Sequence, residues 1–235
     1  MKKYLLSTLS DGICVVLLSV CPILCYASAF SVKLEASVLI MAAVLFSIVF
    51  SLLSAFVKNN LKYALCMTVI AFVAFLVFVF ANESIFAQAN YTINKLLELY
   101  SVYLSVYSNI KFASYIANDA TGFFVLLSLI LNGLFSFLIS RIKSIKIAGL
   151  LSIALLVPCF VLVNTLPDLV PLLIIFTVLF ALYFSSQTRQ LNYAHSGVIT
   201  AVCAVILAVL ITVLAVINPV ADYERPKWQD NMLNT

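Results

Sequence analysis

Three cysteines in the first apolar stretch are the side chains whose type and spacing come nearest to a metal site. Cys14, Cys21 and Cys25 are separated by seven and four residues, which places their thiols on one face of a helix. A stripe of thiols on a membrane helix would suit transport of a soft metal ion. However, no second helix offers a matching cysteine or histidine pair, and cysteine is commonly buried as a small apolar residue. The sequence therefore favours packing for this stripe and predicts no metal ligands.

Asp11 is the ionisable residue closest to an apolar stretch. An acid inside a membrane is by default a candidate for moving protons or cations. Asp11 nevertheless lies close to the predicted inner membrane surface, beside Ser10 and Gly12. We therefore predict that it marks a helix start at the interface, with ion coupling as the less favoured interpretation.

No catalytic set can be assembled from the sequence at membrane depth. His195 is the single histidine, and it falls in a predicted inner loop. Neither a Cys-His pair nor a Ser-His-Asp set is then available within the apolar helices. The sequence predicts no catalytic, cofactor-binding or metal-binding residue.

The composition places the chain in a membrane. It is 65% hydrophobic and 9% charged, with a mean hydropathy of +1.18, whereas soluble domains are about 45 to 50% apolar and about 25% charged. Backbone groups cannot be left unpaired in lipid, so apolar runs of about 20 residues must cross it as helices. The net charge of +4 is scattered over turns, which argues against a nucleic-acid partner and leaves the lipid bilayer as the predicted one.

The sequence predicts an all-α, polytopic membrane protein with seven transmembrane helices and one interfacial amphipathic helix. Lys2, Lys3 and the small residues at 27–29 imitate a cleavable signal peptide, but the apolar run between them is too long for one, so we predict a retained helix. These helices form a transmembrane domain over 1–219, followed by a polar extracytoplasmic tail over 220–235. The predicted spans are 13–30, 36–57, 61–81, 123–139, 147–163, 169–184 and 198–217.

The start of the sixth span carries helix-start signals. Thr165 is the predicted cap, Pro167 is predicted in the first turn, and Asp168 is predicted to face the exposed amide groups. Within the fourth span, Asn132 and Gly133 are predicted to join helices by hydrogen bonding or close approach.

The charges between the spans predict orientation. Cations concentrate in alternate connections, and the positive-inside rule then places the amino terminus inside and, after seven crossings, the carboxyl terminus outside. All acids except Asp11 fall in the other connections. The predicted inner cations are Lys2, Lys3, Lys58, Lys62, Arg141, Lys143, Lys146 and Arg189, and the outer ones are Lys33, Lys95, Lys111, Arg225 and Lys227.

Residues 94–117 are apolar enough to be mistaken for another span. On a helix, Asn94 and Glu98 share one polar stripe with several serines, whereas Leu96 and Tyr100 lie on the opposite face with further tyrosines. Tyrosine favours the headgroup level, so we predict a helix that lies along the outer membrane surface. A crossing helix is the alternative, and it would invert the orientation of every later segment.

Three segments carry a family resemblance. Asn164-Thr-Leu-Pro-Asp-Leu-Val-Pro-Leu-Leu, Ser185-Ser-Gln-Thr-Arg-Gln-Leu-Asn192 and Asp222-Tyr-Glu-Arg-Pro-Lys-Trp228 resemble the amino-terminal multi-span region of bacterial transglutaminase-like membrane proteins. The resemblance implies the bacterial cytoplasmic (cell) membrane, and an extracytoplasmic domain with a Cys-His-Asp triad after the spans. The sequence stops before such a domain, so no catalytic residue is carried over.

We therefore expect a membrane-anchoring domain that positions an extracytoplasmic module and has no catalysis of its own. One alternative is a small transporter or channel subunit that uses Asp11, Asn132 and Asn164 along a path. Another is a membrane enzyme that acts on a lipid-linked substrate at the outer surface. That enzyme would have to rely on the predicted outer acids, Glu83, Glu98, Asp119 and Asp168.

Overall fold

The computed structural model of the chain describes residues 2–81, 84–104, 117–161 and 167–190, and every regular element in these ranges is helical. This confirms the predicted all-α class for the described residues. The elements are α1 (Lys2–Ala29), α2 (Ala36–Phe56), α3 (Asn60–Ala81), α4 (Ser84–Leu104), α5 (Thr121–Ser136) with a π-helical extension (Phe137–Ile142), α6 (Ile145–Val161) and α7 (Leu169–Gln190).

Three of the described helical stretches are long and apolar enough to cross a membrane: Asp11–Ala29, Ala36–Ser54 and Thr121–Ile142. Three shorter apolar stretches, Asn60–Leu76, Ile145–Phe160 and Leu169–Phe184, accompany them. The described helices thus fit a helical membrane protein. By length and composition they do not give seven spans, so that number stays a prediction. The seventh predicted span, 198–217, and the tail at 220–235 lie outside the described residues.

The centre of the bundle is formed by α1 and α5. Each packs against the other, α1 also against α2, α6 and α7, and α5 also against α2, α3 and α4. Buried residues make up 56% of the apolar stretch of α1 and 61% of that of α5 with its extension, against 22% of that of α2. The exposed face of α2 carries large apolar side chains such as Met41 and Leu45, which suits contact with lipid rather than water.

The predicted helix start at Asp11 is wrong, because α1 begins at Lys2 and runs without a break through Asp11 and Gly12. Packing against α2 explains this. The Ser47 hydroxyl donates a hydrogen bond of 3.1 Å to the Gly12 carbonyl. A Cβ on Gly12 would lie 3.4 Å from the Ser47 hydroxyl oxygen. The glycine therefore permits close approach of two helices instead of ending one.

Other helix limits agree with the predicted ones to different degrees. α2, α3 and α7 begin within one residue of the predicted positions. The end of α7 differs, because the helix continues to Gln190 beyond the predicted end at 184. The π-helical extension of α5 was not predicted. It ends at Ile142, and the next residue, Lys143, is in the left-handed conformation with φ 56°. Pro167 precedes α7 instead of lying in its first turn, which contains Pro171. Thr165, the predicted cap, lies outside the described residues.

Candidate functional site

A buried polar cluster joins the two central helices. The Asn132 side-chain amide of α5 donates hydrogen bonds to the Ser19 hydroxyl of α1, at 2.8 Å, and to the Ser128 carbonyl, at 3.1 Å. All three residues are fully buried. Hydrogen bonds between helices stabilise their association where water is absent. The structure thus confirms that Asn132 joins helices, and it adds Ser19, which the sequence gave no reason to single out.

Gly133, the next residue, lies where α5 meets α2 and α3. A Cβ at this position would lie 3.2 Å from the Met67 terminal methyl carbon and 3.4 Å from the Phe50 ring. Phe50 is buried, and it belongs to a small apolar cluster with Leu126 and Leu129. The predicted close approach at Gly133 is therefore confirmed.

One end of the bundle is organised by Arg141 in the π-helical extension. Its guanidinium donates to the carbonyl oxygens of Ser54, at 2.5 Å, of Val57, and of Lys58, at 3.3 Å. Ser54 lies in the last turn of α2, and Val57 and Lys58 directly follow it, where a cation complements the helix dipole. The guanidinium carbon also lies 4.8 Å from the centre of the Tyr63 ring. The sequence analysis used Arg141 only as one of the inner cations that predict orientation. It gave no sign that Arg141 binds the end of α2.

At the opposite end of the bundle, hydrogen bonds join the connections to one another and to the end of α1. The backbone amide of Ala120 donates to the Lys33 carbonyl at 3.0 Å, and that of Glu35 donates to the Thr121 hydroxyl at 3.0 Å. The backbone amide of Asp168 donates to the Ser28 hydroxyl at 2.9 Å. We call the joined connections, residues 31–35, 117–121 and 167–168 together with the first half of α4, the platform.

Gln88 fastens α4 to the start of α5. The buried Gln88 side-chain carbonyl accepts a hydrogen bond of 2.9 Å from the backbone amide of Phe123, in the first turn of α5. Four backbone amides at a helix start lack partners within the helix, so this bond acts as a cap supplied by a different helix. Gly122 leaves room for it, because a Cβ there would lie 2.9 Å from the Gln88 oxygen.

The predicted polar and apolar faces of the amphipathic helix are confirmed for the residues of α4 whose exposure the structure describes. Asn94 and Glu98 are exposed, whereas Leu96 packs against the core. The Lys95 ammonium lies 2.9 Å from a Glu98 carboxylate oxygen, and this hydrogen bond raises the pKa of Lys95 above its ordinary value. The helix begins at Ser84, earlier than predicted. Residues 105–116 lie outside the described ranges, so a position along the membrane surface stays a prediction.

Of the other residues that were considered for chemistry, Cys25 lies near Cys21, Cys159 and Asp168, close enough for electrostatic interaction. Cys21 and Cys25 are buried and Cys14 is half-buried, all as free thiols. Within 2–81, 84–104, 117–161 and 167–190, no group of three or more His, Cys, Asp or Glu could hold a metal ion. Glu98, Asp119 and Asp168 belong to the platform or to α4 beside it. Glu83, Asn164 and His195 lie outside the described residues.

No protein-family model matches the chain, and comparisons with curated proteins and with solved structures found no match. The resemblance to bacterial transglutaminase-like membrane proteins therefore stays a prediction. Support for a function comes from the geometry of the bundle interior and of its two ends.

Proposed function

We propose that the chain is a membrane-anchoring domain that positions an extracytoplasmic module at the outer membrane face. The observation that carries this proposal is the platform. Two of its connections are hydrogen-bonded to each other, at Lys33 with Ala120 and at Glu35 with Thr121, and the third is bonded to the end of α1, at Asp168 with Ser28. A surface fixed in this way holds its position relative to the helices, as a mount for a second module requires.

We further propose that the mounted module is transglutaminase-like. The support is the resemblance of residues 164–192 and 222–228 to the membrane region of that family. The anchoring domain itself contributes no catalysis in this proposal. Its partners are the lipid bilayer and the module at the platform.

The orientation that we propose has the amino terminus inside, seven crossings and the carboxyl terminus outside, in the bacterial cytoplasmic membrane. The contacts of the bundle ends support it. Arg141 binds the carbonyl of Lys58, so these two predicted inner cations share one end. Glu35 and Asp168 belong to the platform, and Glu35 directly precedes α2, at the opposite end of that helix from Lys58. The platform carries three acids, Glu35, Asp119 and Asp168, and one cation, Lys33, so the excess of cations lies at the Arg141 end, in agreement with the positive-inside rule.

The bundle interior also favours an anchor over a conduit. Buried polar side chains form hydrogen bonds between helices, as Asn132 does with Ser19 and as the Tyr63 hydroxyl does with that of Ser136 at 2.9 Å. Such bonds hold the helices against one another, as an anchor requires.

The alternative is a small transporter or channel subunit. It is favoured by two buried polar atoms without partners, the Asn132 side-chain oxygen and the Ser128 hydroxyl oxygen, which lie in the middle of α5. A buried polar atom without a partner costs free energy, and a functional role is one explanation for it. An ion-flux assay in proteoliposomes tests this alternative. Flux by the wild type that is lost in the Asp11→Asn variant would favour it.

The anchoring proposal is tested by fusing alkaline phosphatase, which is active only outside the cytosol, behind Thr235. We expect high phosphatase activity that stays with the membrane fraction through an alkaline carbonate wash. A fluorescent protein that matures only in the cytosol, fused at the same position, is the matched control and should stay dark. Bright fluorescence together with an inactive phosphatase would overturn the proposal.

A further inference from the structure

An open depression of about 490 Å³ lies beside the platform, where α1 ends and where α2 and α7 begin. Its floor is apolar, and it includes Leu24, Ala27, Leu34 and Pro171. Two oppositely charged and exposed side chains, Lys33 and Asp168, also line it. The depression thus combines an apolar surface with one cation and one anion.

Hydrogen bonds fix the backbone on both charged sides of the depression. The Ser28 hydroxyl accepts from the Asp168 amide at 2.9 Å and donates to the Cys25 carbonyl at 3.0 Å, so it fastens the start of α7 to the end of α1. The Lys33 carbonyl accepts from the Ala120 amide at 3.0 Å. The ion pair found within the described residues joins Lys95 to Glu98. Lys33 and Asp168 therefore do not form an ion pair with each other.

We propose that this depression binds the headgroup of a zwitterionic aminophospholipid. The phosphate is held by the Lys33 ammonium, the lipid ammonium is held by the Asp168 carboxylate, and the start of an acyl chain covers the apolar floor. Both contacts are charge-assisted hydrogen bonds, which are stronger than neutral ones.

The position of the depression fits the headgroup level of a bilayer. It lies at the carboxyl end of Asp11–Ala29, one of the stretches that is long and apolar enough to cross a membrane. Leu24 and Ala27 of this same stretch form part of the floor, so a lipid seated there would keep its chain beside an apolar helix. The inference depends on the membrane assignment and is independent of what the platform carries.

The test is native mass spectrometry of the full chain, purified in detergent and titrated with phosphatidylethanolamine or phosphatidylglycerol of identical acyl chains. We expect the wild type to bind phosphatidylethanolamine about tenfold more tightly, the factor that one charge-assisted hydrogen bond supplies. Asp168→Asn should remove this preference, and Lys33→Gln should weaken the binding of both lipids. Asp119→Asn and Lys146→Gln are the matched charge controls, and both should behave as wild type.

Equal binding of the two lipids by the wild type would overturn the inference, as would an unchanged preference in Asp168→Asn. A wild type that retains neither lipid, because the depression is covered by another part of the chain or by a second copy, would also overturn it. The phosphatase fusion behind Thr235 is read independently, so failure of lipid binding and failure of the anchoring proposal are distinguishable.

Discussion

Replacement of Arg141 by glutamine is expected to lower the free energy of unfolding by about 3 kcal/mol. Each hydrogen bond to a charged group contributes about 1.5 to 3 kcal/mol, and solvent screening of the partly exposed guanidinium lowers the sum for its three bonds. The guanidinium binds the carbonyls of Ser54, Val57 and Lys58 and thus caps α2 from the π-helical extension of α5. A glutamine side chain is shorter and uncharged, so it cannot serve all three oxygens. Unfolding in mixed detergent micelles, followed by circular dichroism, measures the loss.

Two further variants separate the geometry of this contact from its charge. Lys146→Gln removes an exposed cation from the first turn of α6 and should cost less than about 0.5 kcal/mol. Arg141→Lys keeps the charge but loses the planar fork, so an intermediate loss is expected. If Arg141→Gln proves as stable as Lys146→Gln, the capping role assigned to Arg141 is wrong.

The second large effect is expected from Gly133→Leu, which should destabilise the bundle by about 2 kcal/mol, because overpacking a filled interior typically costs about 1 to 3 kcal/mol. The first added carbon would already lie 3.2 Å from Met67 and 3.4 Å from Phe50. The Met67 side chain is flexible, but the Phe50 ring is buried and has little room to move. The same unfolding experiment measures this effect.

Gly149→Leu is the matched control in α6. The nearest atom to a Cβ there is a Leu179 methyl carbon at 3.9 Å, which is an ordinary contact. Leucine also has a higher helix propensity than glycine. We expect this variant to be at least as stable as the wild type. A Gly133→Leu protein that matched it would show that α5 does not approach α2 and α3 as closely as described.

Much of the helical framework could be predicted from hydropathy alone. The starts of α2, α3 and α7 lie where apolar runs begin after charged or polar residues. Such runs must be helical in lipid, because their backbone groups cannot stay unpaired there. The exposed Asn94 and Glu98 of α4 follow from helical periodicity. These features are local, because the hydropathy and periodicity that determine each of them lie within a single segment of the sequence.

The errors and omissions concern contacts between distant residues. Asp11 and Gly12 suggested a helix boundary, but packing of Gly12 against Ser47 of α2 carries α1 through both. The cap of α5 by Gln88 depends on a residue of another helix, and no local capping signal reveals it. Asn132 was singled out by its polarity, whereas its partner Ser19 could be found only from the packing of α1 on α5.

The central claim is that α5 separates a platform outside the cell from an Arg141 end inside it. Single-cysteine labelling with an impermeant maleimide tests this claim most directly, at Asn118→Cys on the platform and at Lys146→Cys beyond the π-helical extension. Both positions are exposed, and the wild type gives the background from its native cysteines. We predict that Asn118→Cys is labelled in intact cells and that Lys146→Cys is labelled only after permeabilisation. Labelling of both positions from the same side would contradict the account.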